Sequence, residues 1–242
     1  MSRRALTWTV FFVGVAALVG TFVYLTREPE VVELDPVEVE VAQSEREAER
    51  EEMWDAIAEE SRGLIPGILP GIELGMHRNQ AQELRPAMQR NPATATNPES
   101  PGISFMEENL ANGARVVYGF EVESQRLQRL QVLSLLPNGE AIGPHLQAMN
   151  ETYGSPTGIW SCPNTGGVPT RRFTWRHGRT TVSDIFLVYG GRVSVTLYIA
   201  PSAVIFSSLR RAACQPVQSA EEAGQFPVTT EEQMMNTNPD VE

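Results

Sequence analysis

Residues 171–199 read RRFTWRHGRTTVSDIFLVYGGRVSVTLYI, and this stretch decides the fold. It holds three runs, residues 171–176, 179–189 and 192–199, rich in β-branched and aromatic side chains. His177-Gly178 and Gly190-Gly191 separate them. Two-residue turns containing Gly between such runs predict a three-stranded antiparallel meander. A tight turn fixes the register, and residues opposite each other share a face. Pairing about Gly190-Gly191 sets Val188 opposite Val193, Phe186 opposite Val195 and Val182 opposite Ile199. Pairing about His177-Gly178 sets Phe173 opposite Val182 and Asp184 opposite Arg171. With Trp175 and Leu197 these apolar residues line one face, the expected core. The reverse face is mixed and is expected to meet solvent. It carries Arg172, Thr174, Arg176, Thr181, Ser183, Ser194, Thr196 and Tyr198 beside Ile185, Leu187 and Tyr189.

Working outward, residues 115–122 alternate, with Val116, Tyr118, Phe120 and Val122 on one side, and residues 127–136 make a second strand. Pro137-Asn138-Gly139 ends it. Asn79 is the expected cap of a short helix through Gln89. Residues 144–153 make a better punctuated helix, with Pro144 in the first turn, Gly154 just past the end and Pro156 beyond. Residues 91–102 read as a loop, and residues 158–170 include Trp160, Cys162 and a Gly/Pro loop. Residues 202–213 read as a closing helix, or as a strand about Val204-Ile205-Phe206. The expected class is α+β, with short helices packed on an antiparallel sheet that ends in the meander.

Upstream, residues 5–26 (ALTWTVFFVGVAALVGTFVYLT) carry no charge. As a helix they span about 33 Å, enough for a hydrocarbon core of about 30 Å. Arg3 and Arg4 flank one end, and Glu28, Glu30, Glu33 and Asp35 follow Arg27 at the other. The positive-inside rule puts the N-terminus in the cytoplasm and residues 28–242 outside it, in a single-pass inner-membrane topology. A cleaved signal peptide is the alternative, but the apolar run continues through Leu25. Residues 28–71 read as an acidic spacer, a helix opened by Ser44 and Glu47 with Trp54 and Ile57 as its contact edge, and a Pro/Gly hinge, GLIPGILPG. Residues 72–215 form the expected extracytoplasmic domain, and residues 216–242 a disordered acidic tail.

Composition removes several chemistries. The chain has no Lys, so a P-loop lysine, a Schiff base and a Ser-Lys dyad are excluded. Residues 28–62 hold 14 acidic residues and 3 Arg, residues 63–215 hold 10 and 13, and residues 216–242 hold 6 and none. Acidic flanks around a nearly neutral body argue against nucleic-acid binding. In an oxidising compartment Cys162 and Cys214 read as a disulfide.

No catalytic, metal or cofactor set emerges. Asp184, the only Asp of the body, is expected to pair with Arg171 across strands. His77, His145 and His177 are scattered among helix starts and a turn. Cys162, Cys214 and His177 lack zinc-site spacing, and Ser155 lies outside any GxSxG elbow. Glu107-Glu108 reads as a solvated pair and Glu121/Glu123 as charges on an edge strand. The better candidate is a partner-binding face of Arg172, Thr174, Arg176, Tyr189 and Tyr198, residue types enriched at interfaces.

Leu74-Gly75-Met76 followed by Gln80 and Leu84, and Tyr153-Gly154-Ser155-Pro156 followed by Trp160 and strands, resemble segments of the SmpA/BamE-type outer-membrane assembly lipoproteins and of the related β-lactamase-inhibitor-like fold. The resemblance covers about residues 72–200. It implies helices on an antiparallel sheet and protein binding rather than catalysis. The chain departs from it in placing two strands between the helices and in lacking a lipidated Cys. The expected function is that of a membrane-anchored scaffold or assembly factor that binds an envelope protein. An envelope hydrolase and a small-ligand sensor are the alternatives.

Overall fold

The computed structural model describes residues 36–90, 102–165 and 168–229. The uncharged stretch 5–26 lies outside them, as do residues 28–35 of the spacer, 91–101 of the Pro-rich loop and 230–242 of the tail. Among the described residues no helix is long and apolar enough to cross a membrane. The chain divides into Met1–Ala48 and Glu49–Glu242. In the first unit, residues 36–48 are the start of helix α1 (Pro36–Arg62).

Eight strands form one antiparallel sheet in the order β1-β2-β3-β7-β6-β5-β4-β8. They are β1 (Ile103–Asn109), β2 (Arg115–Glu121), β3 (Leu127–Leu136), β4 (Gly158–Thr165), β5 (Val168–His177), β6 (Thr180–Tyr189), β7 (Arg192–Pro201) and β8 (Gln215–Pro216). A two-residue strand β9 (Val228–Thr229) adds in parallel to the end of β6. The helices are α1, α2 (Arg78–Leu84), α3 (Ile142–Tyr153), α4 (Ser202–Arg211) and the short α5 (Ala220–Ala223). The class is α+β.

The meander forms, and its second hairpin keeps the expected register: Val188 faces Val193, Phe186 faces Val195 and Val182 faces Ile199. The first hairpin is shifted by two. His177 pairs with Thr180, so the turn residues are Gly178 and Arg179. Two-residue hairpin turns need positive φ at the first central position, where Gly has no Cβ penalty and His does. Gly178 has φ +58° there. An even shift leaves every side chain on its face but changes its neighbour. Asp184 therefore lies opposite Phe173, not Arg171.

Two strands occupy segments not assigned to strand. β4 pairs with β5 through Trp160, Ser161 and Cys162, although Pro163 makes the run look like loop. β1 pairs along β2 and forms the sheet edge, where Gln89 bridges to Glu107. β2 is therefore interior, and Glu121 does not sit on an edge strand as expected. On β1 Glu108 is buried rather than solvated.

The main core lies on one sheet face. Val116, Tyr118, Phe120, Leu130, Val182, Phe186, Val195, Ile199 and Trp175 meet Met149 and Tyr153 of α3 and Trp54 and Ile57 of α1. The expected hinge at residues 63–71 is packed: Leu64 and Leu69 are buried with Ile72 and Leu74. Ser61 Oγ accepts the Leu74 N–H at 2.9 Å. Apolar side chains outweigh the Pro/Gly signal here, so the compact unit begins before Ile72. Helix α2 is shorter than expected, because Pro86 disfavours helix at Arg85. Its cap is His77, not Asn79: the imidazole accepts the Asn79 N–H while Gln80 accepts the His77 N–H.

Helix α4 settles the helix-or-strand alternative and covers the reverse face of the meander. Ile205 and Leu209 pack there with Cys162, Tyr198 and Ala200. Cys162 and Cys214 form the expected disulfide. The tail does not begin at residue 216. β8 pairs with β4, and Phe226 packs against the main core.

Candidate functional site

The face expected to receive a partner is largely occupied by the chain itself. Arg172, Thr174 and Tyr198 are buried, whereas Tyr189 is half-buried and Arg176 exposed. Arg172 Nη1 donates to Ser208 of α4 at 2.7 Å. Thr174 Oγ1 accepts from Trp160 Nε1 and donates to the Gly158 carbonyl. Burial lowers the Arg172 pKa to about 10, with Tyr198 acting the other way. The sequence could not show this covering, because α4 reaches the face only through the β7–α4 connection.

The structure instead gathers polar groups at three places. The first is on the core face. Asp184 is fully buried on β6, flanked across strands by Phe173 and Leu197. Its Oδ2 lies 2.7 Å from His145 Nε2 on α3. Asp184 Oδ1 has no hydrogen-bond partner among the described residues. Desolvation raises the Asp184 pKa, and His145 opposes the rise. The imidazole stands edge-on to Phe186 at 5.7 Å, and its side chain is 24% exposed. Nearby Tyr153 is pushed up to about 12, mainly by burial and then by the Asp184 charge. This is a carboxylate–imidazole dyad. Among the described residues no hydroxyl or thiol is hydrogen-bonded to the imidazole.

The second place joins α2 to the sheet. Glu108 Oε1 accepts from Tyr118 Oη at 2.5 Å and from Arg85 Nε at 2.8 Å. Tyr118 is held well above its usual range by burial and by this carboxylate, and Arg85 is raised by the same hydrogen bond. Both acid and base are spent on packing.

The third place is where the chain after β8 returns. Arg171 Nε and Nη2 donate to the Gln225 carbonyl at 3.0 and 2.6 Å, and Nη2 also to the Glu222 carbonyl at 2.9 Å. Arg171 Nη1 is buried without a hydrogen-bond partner among the described residues. Burial lowers the Arg171 pKa, which the Glu222 charge partly offsets. A separate depression of about 270 Å³ lies over residues 62–73, rimmed by the Arg62–Glu73 ion pair.

Of the other readings, His177 ends β5 with its ring 6.4 Å from Tyr153. Cys162 and Cys214 are bonded to each other and are not zinc ligands. Among the described residues no group of three or more His, Cys, Asp or Glu side chains is placed to hold a metal ion. The Asp184–His145 dyad carried one missed signal in the sequence: Asp184 stands at a core-face position of its own strand. No protein-family model matches the chain, and neither a curated protein nor a solved structure is significantly similar to it.

Proposed function

We propose that the chain is a bitopic envelope protein, anchored through residues 5–26, whose extracytoplasmic domain binds a partner protein without catalysis. The observation that carries this reading is where the charges of the domain go. Glu108 closes on Arg85 and Tyr118, Asp184 on His145, Arg172 on Ser208 and Arg171 on the returning chain. Ionisable groups spent on internal bonds hold a shape, and a held shape serves recognition. The disulfide supports an oxidising compartment. The resemblance of residues 74–84 and 153–160 to assembly lipoproteins supports the same role. The test is crosslinking of the full membrane-tethered chain in cells, followed by mass spectrometry. One envelope protein is expected to be recovered repeatedly, and recovery of none would overturn the reading.

One observation favours a second reading, an envelope hydrolase. The 2.7 Å Asp184–His145 pair could orient an imidazole as a general base, since a carboxylate on one ring nitrogen fixes the tautomer of the other. Turnover of wall or peptide substrates lost in His145→Gln would support it.

A further inference from the structure

Beyond β8 the chain does not leave the domain. Residues 222–229 lie across it in the manner of a bound peptide. Between Arg171 and Phe186 the pairing of β5 with β6 ends, and β9 takes up the freed edge through Val188↔Val228 and Tyr189↔Thr229. Phe226 enters an aromatic pocket, stacked 6.2 Å from Phe173 and edge-on to Phe186 at 5.3 Å. One cation, Arg171, grips the Gln225 carbonyl just before this ring and the Glu222 carbonyl further upstream. Backbone pairing on a sheet edge, one aromatic anchor and a guanidinium on the backbone are the means by which domains take extended peptides.

The segment leaves one donor of its seat unused. Among the described residues Arg171 Nη1 has no acceptor, although it is buried beside the segment and Nε and Nη2 bind carbonyls rather than a carboxylate. The Glu222 carboxylate is turned back to the Gln218 N–H instead. The hold is short: two paired residues, one ring and one arginine. Segments with so few buried contacts open at a free energy well below that of the core strands.

We propose that this groove, formed by Arg171, Phe173, Phe186 and the free edge at Val188–Tyr189, is the partner-binding site, and that residues 222–229 are its resident ligand. The inference rests on the protein-binding reading above. The occupant it fits is an extended segment of a partner protein with an aromatic residue and, N-terminal to it, a carboxylate that reaches Arg171 Nη1. Such a segment gains a carboxylate–guanidinium bond that residues 222–229 do not make with Arg171.

The probe is a labelled peptide with the chain's own sequence 219–229, SAEEAGQFPVT, read by fluorescence anisotropy against the full chain. The resident segment competes at an effective concentration on the order of millimolar. The wild-type chain is therefore expected to bind weakly, and Phe226→Ala at least tenfold more tightly. Replacing Phe by Ala in the peptide, or adding Arg171→Ala to the chain, is expected to abolish the gain. A folded Phe226→Ala chain that binds no better than wild type overturns the proposal.

A second measurement needs no variant. Hydrogen exchange on the wild-type chain is expected to leave the amides of Val228 and Thr229 at least a hundredfold less protected than those of β6 and β7. Equal protection would make the segment part of the core and overturn the proposal. So would a wild-type dimer that Phe226→Ala dissolves, since the occupant would then be a second copy. None of these failures bears on whether crosslinking finds an envelope partner, so the two readings fail separately.

Discussion

Asp184 occupies a core position that its strand neighbours fill with Val182, Phe186 and Val188. His145 is the one hydrogen-bond partner of this buried carboxyl among the described residues, and leaving such a group unsatisfied costs about 1–3 kcal/mol. His145→Ala is therefore expected to destabilise the chain more than Asp184→Asn, which removes the charge and keeps a hydrogen-bonding side chain. The pH dependence has a defined sign. The folded-state pKa of Asp184 is raised, so its contribution is fully present below the unfolded value of about 4 and is lost as pH rises through the folded value. Urea unfolding from pH 4 upward should show the wild type losing stability relative to Asp184→Asn. His145, facing Asp184 from α3, works against that loss, and in His145→Ala the slope should steepen. Asp184→Asn costing more than His145→Ala would sink the account.

At the scale of elements, the first hairpin of the meander shows what turn chemistry adds to a pattern. Glu60 of α1 accepts the N–H groups of Arg179 and Thr180 at 2.7 and 3.1 Å, so the helix is fastened to the turn. A Cβ on Gly178 would come 2.5 Å from Glu60 Oε1, whereas one on Gly190, also at positive φ, would meet nothing within 4 Å. Both Gly→Ala changes are strained by φ, at a cost on the order of 1–3 kcal/mol. Gly178→Ala should cost on the order of 1 kcal/mol more, because it also displaces the Glu60 carboxylate from its donors. Equal midpoints in urea for the two variants would mean that the helix–turn contact contributes nothing. The same element marks the limit of the sequence. Period-two alternation made the three central strands, their faces and one register legible. Nothing in the sequence weighed His177 against Gly178 at the first turn position except the φ requirement itself. β1 was hidden because Glu107 and Glu108 look solvated, and Glu108 is buried only because Arg85 and Tyr118 come to it from other elements. The candidate groove was less legible still: Phe226 sits in an acidic stretch that composition assigns to disorder, and only the fold brings Arg171 and Phe186 to it.

At the scale of the whole molecule, the Cys162–Cys214 bond decides how the meander is held. Its sequence separation of 52 encloses β5, β6, β7 and α4, and with them every residue of the proposed groove. Closing a loop of that length removes about 4 kcal/mol of unfolded-chain entropy on the chain-entropy model. For a unit of this size each kcal/mol moves Tm by roughly 2–4 °C. Cys162→Ala with Cys214→Ala, or the reduced wild type, should therefore melt roughly 8–16 °C lower by differential scanning calorimetry while keeping its far-UV circular dichroism at 25 °C. The bond joins β4 to the chain immediately before β8, so it also fixes where the returning segment starts. Hydrogen exchange at Val228 and Thr229 should rise in the reduced protein by more than the loss of global stability explains. A Tm drop below about 3 °C would show that the unfolded chain is not constrained by this loop, and unchanged exchange at β9 would show that the returning segment is held by Arg171 and Phe226 alone.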